Sequence, residues 1–136
     1  MKILFVCTGN TCRSPMAAAL ACDFFKKNSI GHLCDSAGLL AQEGQPASEN
    51  AIKAMAERGI DISSHRSKLL TFEMAQNADL IIPMTAAHKT ALQSAGIAPD
   101  KILMIGEVPD PYGGDLDRYR ACADSLADLI EKQWKQ

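Results

Sequence analysis

Apolar residues along this chain switch repeatedly between strand-like alternation or short runs and helix-like spacing, from one end to the other, with no internal repeat and no low-complexity segment. Short strands that alternate with amphipathic helices have few ways to fold: each helix carries the chain back so that the next strand lies parallel to the last, in one sheet, through right-handed crossovers. Lys2–Val6 is an apolar run with no polar residue after Lys2, as a central strand covered on both faces requires. A loop, Cys7–Arg13, leads into a helix with Ser14 as N-cap, Pro15 in the first turn, an inward stripe of Ala17, Leu20, Ala21 and Phe24, and Gly31 as its close. His32–Ser36 is the expected second strand. A helix from Ser48 follows, with Ala51, Ile52 and Met55 inward and Gly59 as its stop.

Asp61–Leu70 reads as an ordered connection, and Thr71 caps a short helix to Asn77. Ala78–Met84 is the third strand, with Pro83, which donates no ladder bond, at its end. Thr85–Ala95 is a helix ended by Gly96, Lys101–Glu107 the fourth strand, and Asp115–Gln133 a last helix with Tyr119, Ala123, Leu126 and Ile130 inward. The spacing thus predicts an α/β fold over residues 1–136: a single doubly wound domain whose four-stranded parallel sheet carries helices on both faces. In such folds ligands bind at the carboxyl ends of the strands, so the loops after strands one and four are the places for chemistry.

Composition narrows the partners. Fourteen Lys and Arg stand against sixteen Asp and Glu, a net charge of -2, which argues against nucleic acid or an anionic membrane as the main partner. No apolar run approaches the roughly 20 residues of a membrane span, and the amino terminus lacks a signal-peptide core, so a soluble, cytoplasmic protein is expected. Five cysteines, an odd number in a chain with an ample core, do not make a secreted disulfide framework. Reduced thiols follow. His32, His65 and His88 are dispersed without ligand spacing, which argues against a metal site.

The loop Cys7-Thr8-Gly9-Asn10-Thr11-Cys12-Arg13-Ser14 joins a buried strand to a helix, so its backbone N–H groups can converge beside the helix amino terminus as an anion cradle. Gly9 permits a left-handed or crowded backbone, and Asn10 tolerates positive φ while tying the loop with its side chain. Arg13 supplies a planar fork matched to two phosphate oxygens. A helix terminus and a cation together favour Cys7 as a thiolate, toward which Ser14 can donate its hydroxyl. Cys-x5-Arg-Ser is the constellation a phosphate-transfer thiolate needs. After strand four, Asp110 lies between Pro109 and Pro111 with Tyr112-Gly113-Gly114 completing the turn, so its carboxyl is aimed by a stiff backbone. Asp115 reads as the N-cap of the last helix.

Val6–Pro15 resembles the signature loop of the low-molecular-weight protein tyrosine phosphatase family, and within it the bacterial protein-arginine phosphatase branch. Ser36-Ala37-Gly38, Ser64-His65-Arg66-Ser67, Ala78-Asp79-Leu80, Met84-Thr85 and Asp110-Pro111-Tyr112-Gly113-Gly114 match in family order over nearly the whole chain. The resemblance implies a flavodoxin-like four-stranded sheet, phosphorylated proteins as partners, a cysteinyl-phosphate intermediate, and neither metal nor cofactor. It assigns Cys7 as nucleophile and Asp110 as the acid that protonates the leaving group and then helps activate water. Arg13 and the loop Thr8, Gly9, Asn10, Thr11, Cys12 and Ser14 would hold the phosphoryl oxygens. A monomer is expected.

Substrate choice turns on Thr11, Leu40 and Tyr112. Threonine at position 11 is similar to the arginine-specific branch, whereas members that prefer phosphotyrosine usually carry a bulkier aliphatic residue there. The Asp110–Gly114 turn also resembles that branch, and an ionised Asp110 could receive guanidinium N–H groups. Leu40 departs from it, standing where that branch tends to have an aromatic residue. Phosphoarginine is therefore the first reading and phosphotyrosine the second. Cys12, five residues beyond Cys7 on a curved loop, is either a redox partner for the nucleophile or a small packing residue. Thioredoxin-coupled arsenate reductase shares the Cys-x5-Arg loop but needs two further cysteines after strand three, and none lies between Cys34 and Cys122. A catalytically silent phosphate-binding module is the remaining rival, disfavoured by the intact Cys7, Arg13 and Asp110. His65-Arg66 reads as scaffolding, and Trp134 as packing of the last helix on the sheet.

Overall fold

β1 (Lys2–Cys7) alternates as its sequence dictates, with Ile3, Phe5 and Cys7 on one face and Leu4 and Val6 on the other, all buried. The computed structural model describes residues 1–135; Gln136, the last residue of the expected domain, lies outside them. The first face of β1 packs on α1 (Arg13–Lys27), α2 (Glu49–Ala56) and α5 (Leu116–Trp134), through Met16, Ala17, Leu20, Phe25, Met55, Leu126 and Ile130. The second packs on α3 (Phe72–Asn77) and α4 (Ala86–Ser94), through Ala75 and Leu92. Helices therefore cover both faces of an α/β sheet, as expected.

β2 (Leu33–Gly38) and β3 (Leu80–Pro83) pair in parallel with β1 on either side, in the order β2-β1-β3. Cys7 stands opposite Gly38, and Val6 opposite both Ala37 and Pro83, so three strand ends reach the same edge. The sheet has three strands where the sequence pattern predicts four. The segment Lys101–Glu107 does run beside β3, but it meets the strand at separate points. Ile102 makes an isolated bridge to Ile81, Leu103 N–H donates to Ile81 O at 2.9 Å, and Val108 N–H donates to Met84 O at 2.8 Å. Five residue steps from Leu103 to Val108 face only three from Ile81 to Met84. The surplus residues bow out of register, and a ladder cannot propagate. A short 3-10 turn, Pro99–Lys101, occupies the segment's start.

Several element ends also differ from expectation. α1 begins at Arg13 with Cys12 in the N-cap position and no side-chain cap, so Ser14 lies inside the helix with its hydroxyl free for another partner. That helix stops at Asn28, followed by Ser29 at φ 56°, before Gly31 is reached. Phe25 is fully buried and Phe24 only partly so, and Trp134 packs edge-on against Phe25 of α1 at 5.1 Å. The caps at Thr71 and Asp115 stand as predicted, and Thr85 caps α4 in the same way: each side chain accepts from the backbone N–H three residues on, Met74, Arg118 and His88 respectively. Pro83 ends β3. No described helix is long and apolar enough to cross a membrane.

Candidate active site

The loop from Thr8 to Cys12 leaves β1 at the carboxyl edge of the sheet and runs directly into the amino terminus of α1, whose first N–H groups have no partner within the helix. The left-handed turn falls on Asn10, at φ 58°, and not on Gly9, whose φ is negative or extended and whose Cβ position is nearly open. Asn10 is fully buried and every polar group of its side chain is used. Its Nδ2 donates to Ser14 Oγ at 2.8 Å and to Ser36 Oγ at 2.9 Å, and its Oδ1 accepts from Lys68 N–H at 2.9 Å. His65 Nε2 donates to the Asn10 carbonyl at 2.7 Å. With its own N–H on the Cys7 sulfur, Asn10 is held at five points by four segments and cannot relax its strained backbone, which is how a tight loop keeps its shape.

That shape is built around Cys7. The buried sulfur lies 2.8 Å from Ser14 Oγ and 3.3 Å from the N–H of Asn10. Since Ser14 Oγ already accepts from Asn10, its own hydrogen is free for the sulfur, so two donors face one thiol. The loop is braced from β2 as well: Leu39 N–H donates to Cys7 O at 2.9 Å and Leu40 N–H to Thr8 O at 3.0 Å. Gly38 permits this approach, for a Cβ there would lie 2.6 Å from Thr8 O and 3.0 Å from Asn10 N.

Arg13 is buried, with its Nη1 donating to Val108 O at 3.1 Å and its Nη2 3.6 Å from Asp110 Oδ2. The guanidinium thus ties the first loop to the segment after β3, and places the only ion pair of the site at its mouth among the described residues. Asp110 keeps half of its side chain in solvent, at 52 % exposure, and its Oδ1 accepts from Tyr112 N–H at 3.0 Å, which fixes the turn that the two prolines stiffen. Cys7, Thr8, Gly9, Asn10, Thr11, Cys12, Arg13, Asp110 and Tyr112 line one hollow of about 220 Å³. Leu40, 80 % exposed, stands outside that lining, and its backbone N–H is bonded to the loop at Thr8 O. A larger hollow, about 360 Å³, opens among Lys2, Leu33, Asp35 and Met74 and includes no residue of the loop.

Cys12 lines the same hollow as Cys7. Its sulfur meets Ser48 Oγ and Tyr119 OH, each at 3.3 Å, and both cysteines are free thiols. Burial, with the Cys12 contact next, pushes the Tyr119 hydroxyl up to about 12. Ser48 also donates its N–H to Thr11 O at 2.9 Å, so α2 and α5 fix the far side of the loop. His88, from α4, places Nε2 2.8 Å from Thr8 Oγ1. Burial and then the nearby Arg13 charge hold this imidazole below its usual 6.5, while Asp110 and Glu107 act in the opposite sense.

The residues that face the hollow, and His65 as scaffold, are those expected from the sequence; Ser36, Ser48, the Tyr119 hydroxyl and His88 are supports that the sequence pattern did not mark. Ser36 is a polar residue in an otherwise covered strand end, which is the one signal that could have marked it. In chemical terms the hollow offers a buried sulfur with two donors, a fixed guanidinium and an aimed carboxyl. That set brings to one place the groups needed for a nucleophile, an anion clamp and, when the carboxyl is protonated, a proton donor.

The description of a known family, low molecular weight phosphotyrosine protein phosphatase, matches residues 2–136. The protein-arginine-phosphatase of Bacillus subtilis strain 168 is 38% identical over 145 residues, covering 100% of this chain and 96% of that one. A solved low molecular weight protein tyrosine phosphatase from T. tengcongensis superposes with a TM-score of 0.93 at 43% identity, covering 98% of this chain and 97% of that one. A solved cysteine-to-serine mutant of the arginine phosphatase YwlE, with a phosphorylated active-site serine, superposes with a TM-score of 0.94 at 37% identity, over 100% of this chain and 97% of that one.

Proposed function

The chain belongs to the low molecular weight phosphotyrosine protein phosphatase family, and from that premise we propose that it removes phosphate from phosphoarginine in proteins through a phosphorylated Cys7. The observation that carries the reading is the sulfur at the centre of the hollow, 2.8 Å from the Ser14 hydroxyl and 3.3 Å from the Asn10 N–H, with Arg13 and Asp110 at the rim. The phosphorylated active-site serine of the YwlE mutant supports it, since the group standing in for that protein's cysteine carries the phosphoryl group.

The Cys7 thiolate attacks phosphorus in line, and a P–S bond forms as the P–N bond to the guanidine breaks. Arg13 and the loop N–H groups hold the three equatorial oxygens, while protonated Asp110 gives its proton to the departing guanidine nitrogen. Asp110, now a carboxylate, then takes a proton from water as the water oxygen attacks phosphorus. The P–S bond breaks, inorganic phosphate leaves and the thiolate returns. Positioning and electrostatic stabilisation supply most of the acceleration, because the loop is held rigid before the substrate arrives.

Arginine is favoured over tyrosine by Thr11 at the hollow and by the half-exposed Asp110 carboxyl, whose unprotonated oxygen can accept a guanidinium N–H where a phosphorylated phenol offers none. The tyrosine reading has one observation on its side: Leu40 puts an exposed aliphatic chain beside the mouth, with no aromatic face for the substrate's stem. We take residues 1–136 to act as one cytoplasmic, monomeric domain. Cys12 is proposed as the partner of an oxidised Cys7, which requires it to leave Ser48 and Tyr119. The deciding experiment is kcat/KM on matched phosphoarginine and phosphotyrosine peptides, with Cys7→Ser as blank. A preference for phosphoarginine above about tenfold, or about 1.4 kcal/mol, that disappears in Thr11→Ile is the expected result. The reverse preference makes the protein a tyrosine phosphatase and Thr11 incidental.

A further inference from the structure

Thr8 follows the nucleophile directly, yet its side chain is held from another element. α4 starts where β3 ends, and its Thr85 cap sets the first turn so that His88, one turn in, turns its ring toward the loop. His88 Nε2 lies 2.8 Å from Thr8 Oγ1. The imidazole is only 6% exposed, and its other nitrogen, Nδ1, is buried with no partner among the described residues. An unpaired buried nitrogen decides the tautomer. With the proton on Nδ1, a donor would be stranded in the interior; with the proton on Nε2, only a bare acceptor is left there, and stranded N–H groups are the rarer and costlier case. The neutral ring therefore donates from Nε2 to Thr8 Oγ1. Thr8 Oγ1 has no other hydrogen bond among the described residues, so its own hydrogen is left to point away from the imidazole, and Thr8 lines the same hollow as Cys7 and Arg13.

We propose that His88 is a positioning residue, which fixes the Thr8 hydroxyl so that its hydrogen is presented to an oxygen of the phosphoryl group bound in the loop. The proposal rests on the phosphatase reading but not on the choice between arginine and tyrosine. Thr8 then adds a side-chain donor to the cradle of backbone N–H groups, and His88, which touches no substrate, removes the freedom of that donor to turn toward water or toward the ring. A free threonine hydroxyl at a loop mouth spends most of its time bonded to solvent, and its orientation must be fixed again with each substrate.

Two readouts separate the possibilities: steady-state turnover of an aryl phosphate, and the affinity for inorganic phosphate measured by calorimetry, which needs no turnover. His88→Phe keeps the ring's volume and loses both nitrogens. It is expected to weaken phosphate binding and lower kcat/KM by roughly tenfold each, with thermal stability unchanged or raised, because an unpaired buried nitrogen is gone. Thr8→Val should reproduce that loss, and the double variant should be no worse than either single one. His88→Gln, whose amide nitrogen can stand near the Nε2 position, should recover most of both quantities. If His88→Phe binds phosphate as wild type does, or if its loss and that of Thr8→Val multiply in the double variant, the assignment is wrong. Should His88→Phe not fold, His88→Gln and Thr8→Val carry the same comparison, and a large loss in the glutamine variant counts against the role. Failure of wild type to turn over any phosphate ester would refute the phosphatase reading itself, while phosphate affinity would still judge His88.

Discussion

Cys7 ends a buried strand, and its sulfur would be an ordinary packing group were it not for Asn10, whose side chain supports Ser14 and whose backbone N–H faces the same atom. Replacing Asn10 with Ala strands the Lys68 N–H and leaves the His65 contact on an unrestrained loop, so we expect a stability loss of about 1–3 kcal/mol, read by urea unfolding, and a fall in kcat/KM well beyond what the unfolded fraction explains. Equal losses in stability and activity would show that Asn10 serves only the fold. At the rim, Asp110→Asn keeps the turn but removes the transferable proton. It should cost roughly a hundredfold to ten-thousandfold in turnover of phosphoarginine, and no more than that on an aryl phosphate, whose leaving group needs protonation less. Small, equal losses on both substrates would remove Asp110 from the acid's role. The residues facing the hollow were legible in the sequence because each meets a local demand: a donor beside a thiol, a cation beside an anion site, a carboxyl between two prolines. Ser36, Ser48 and His88 were not, because their partners lie 26, 36 and 80 residues away and only the packed fold brings them together.

Elements set how firmly that loop is held. Gly38 ends β2 directly beneath it, where a methyl group would press on Thr8 O at 2.6 Å and on Asn10 N at 3.0 Å, two backbone atoms that cannot swing aside. Gly38→Ala is therefore expected to destabilise the fold by about 1–3 kcal/mol and to impair catalysis in the fraction that folds; an active-site titration that finds normal turnover per folded molecule would contradict this. By contrast Asp115, which caps α5 away from the chemistry, should cost about 0.5–2 kcal/mol as Ala with kcat/KM unchanged, measured by urea unfolding beside a steady-state assay. Helices and caps were readable because they depend on neighbours three and four residues away. The fourth strand was not: its apolar pattern suits a strand, but whether a ladder forms depends on register against β3, and two surplus residues between its hydrogen bonds break that register. The start of α1 at Arg13 shows the same limit, since Ser14 could cap a helix or support a sulfur, and only the position of Cys7 chooses.

Outside the loop, the molecule holds the Cys34 thiol partly, and the Cys122 thiol and the Tyr119 phenol almost wholly, out of water. Burial pushes Cys34 and Cys122 from 9.0 up to about 12, and Tyr119 from 10.0 up to about 12. The unfolded chain releases these protons at the lower values and the folded chain retains them, so the contribution is fully present below about pH 9 and is lost as the pH climbs toward 12. Urea midpoints taken from about pH 8 to about pH 11 should fall, and Cys122→Ala should flatten the slope; a slope the substitution leaves unchanged would mean that this thiol is not held neutral by the fold. All of this serves one sulfur at the edge of the sheet. The direct measurement is rapid acid quench of the protein during turnover of a phosphopeptide, followed by mass analysis of the fragment carrying Cys7. One phosphoryl group on the Cys7 sulfur, formed and consumed at rates compatible with turnover and absent in Cys7→Ala, is the predicted result; turnover with no phosphoryl group on Cys7, or with one on another residue, would contradict it.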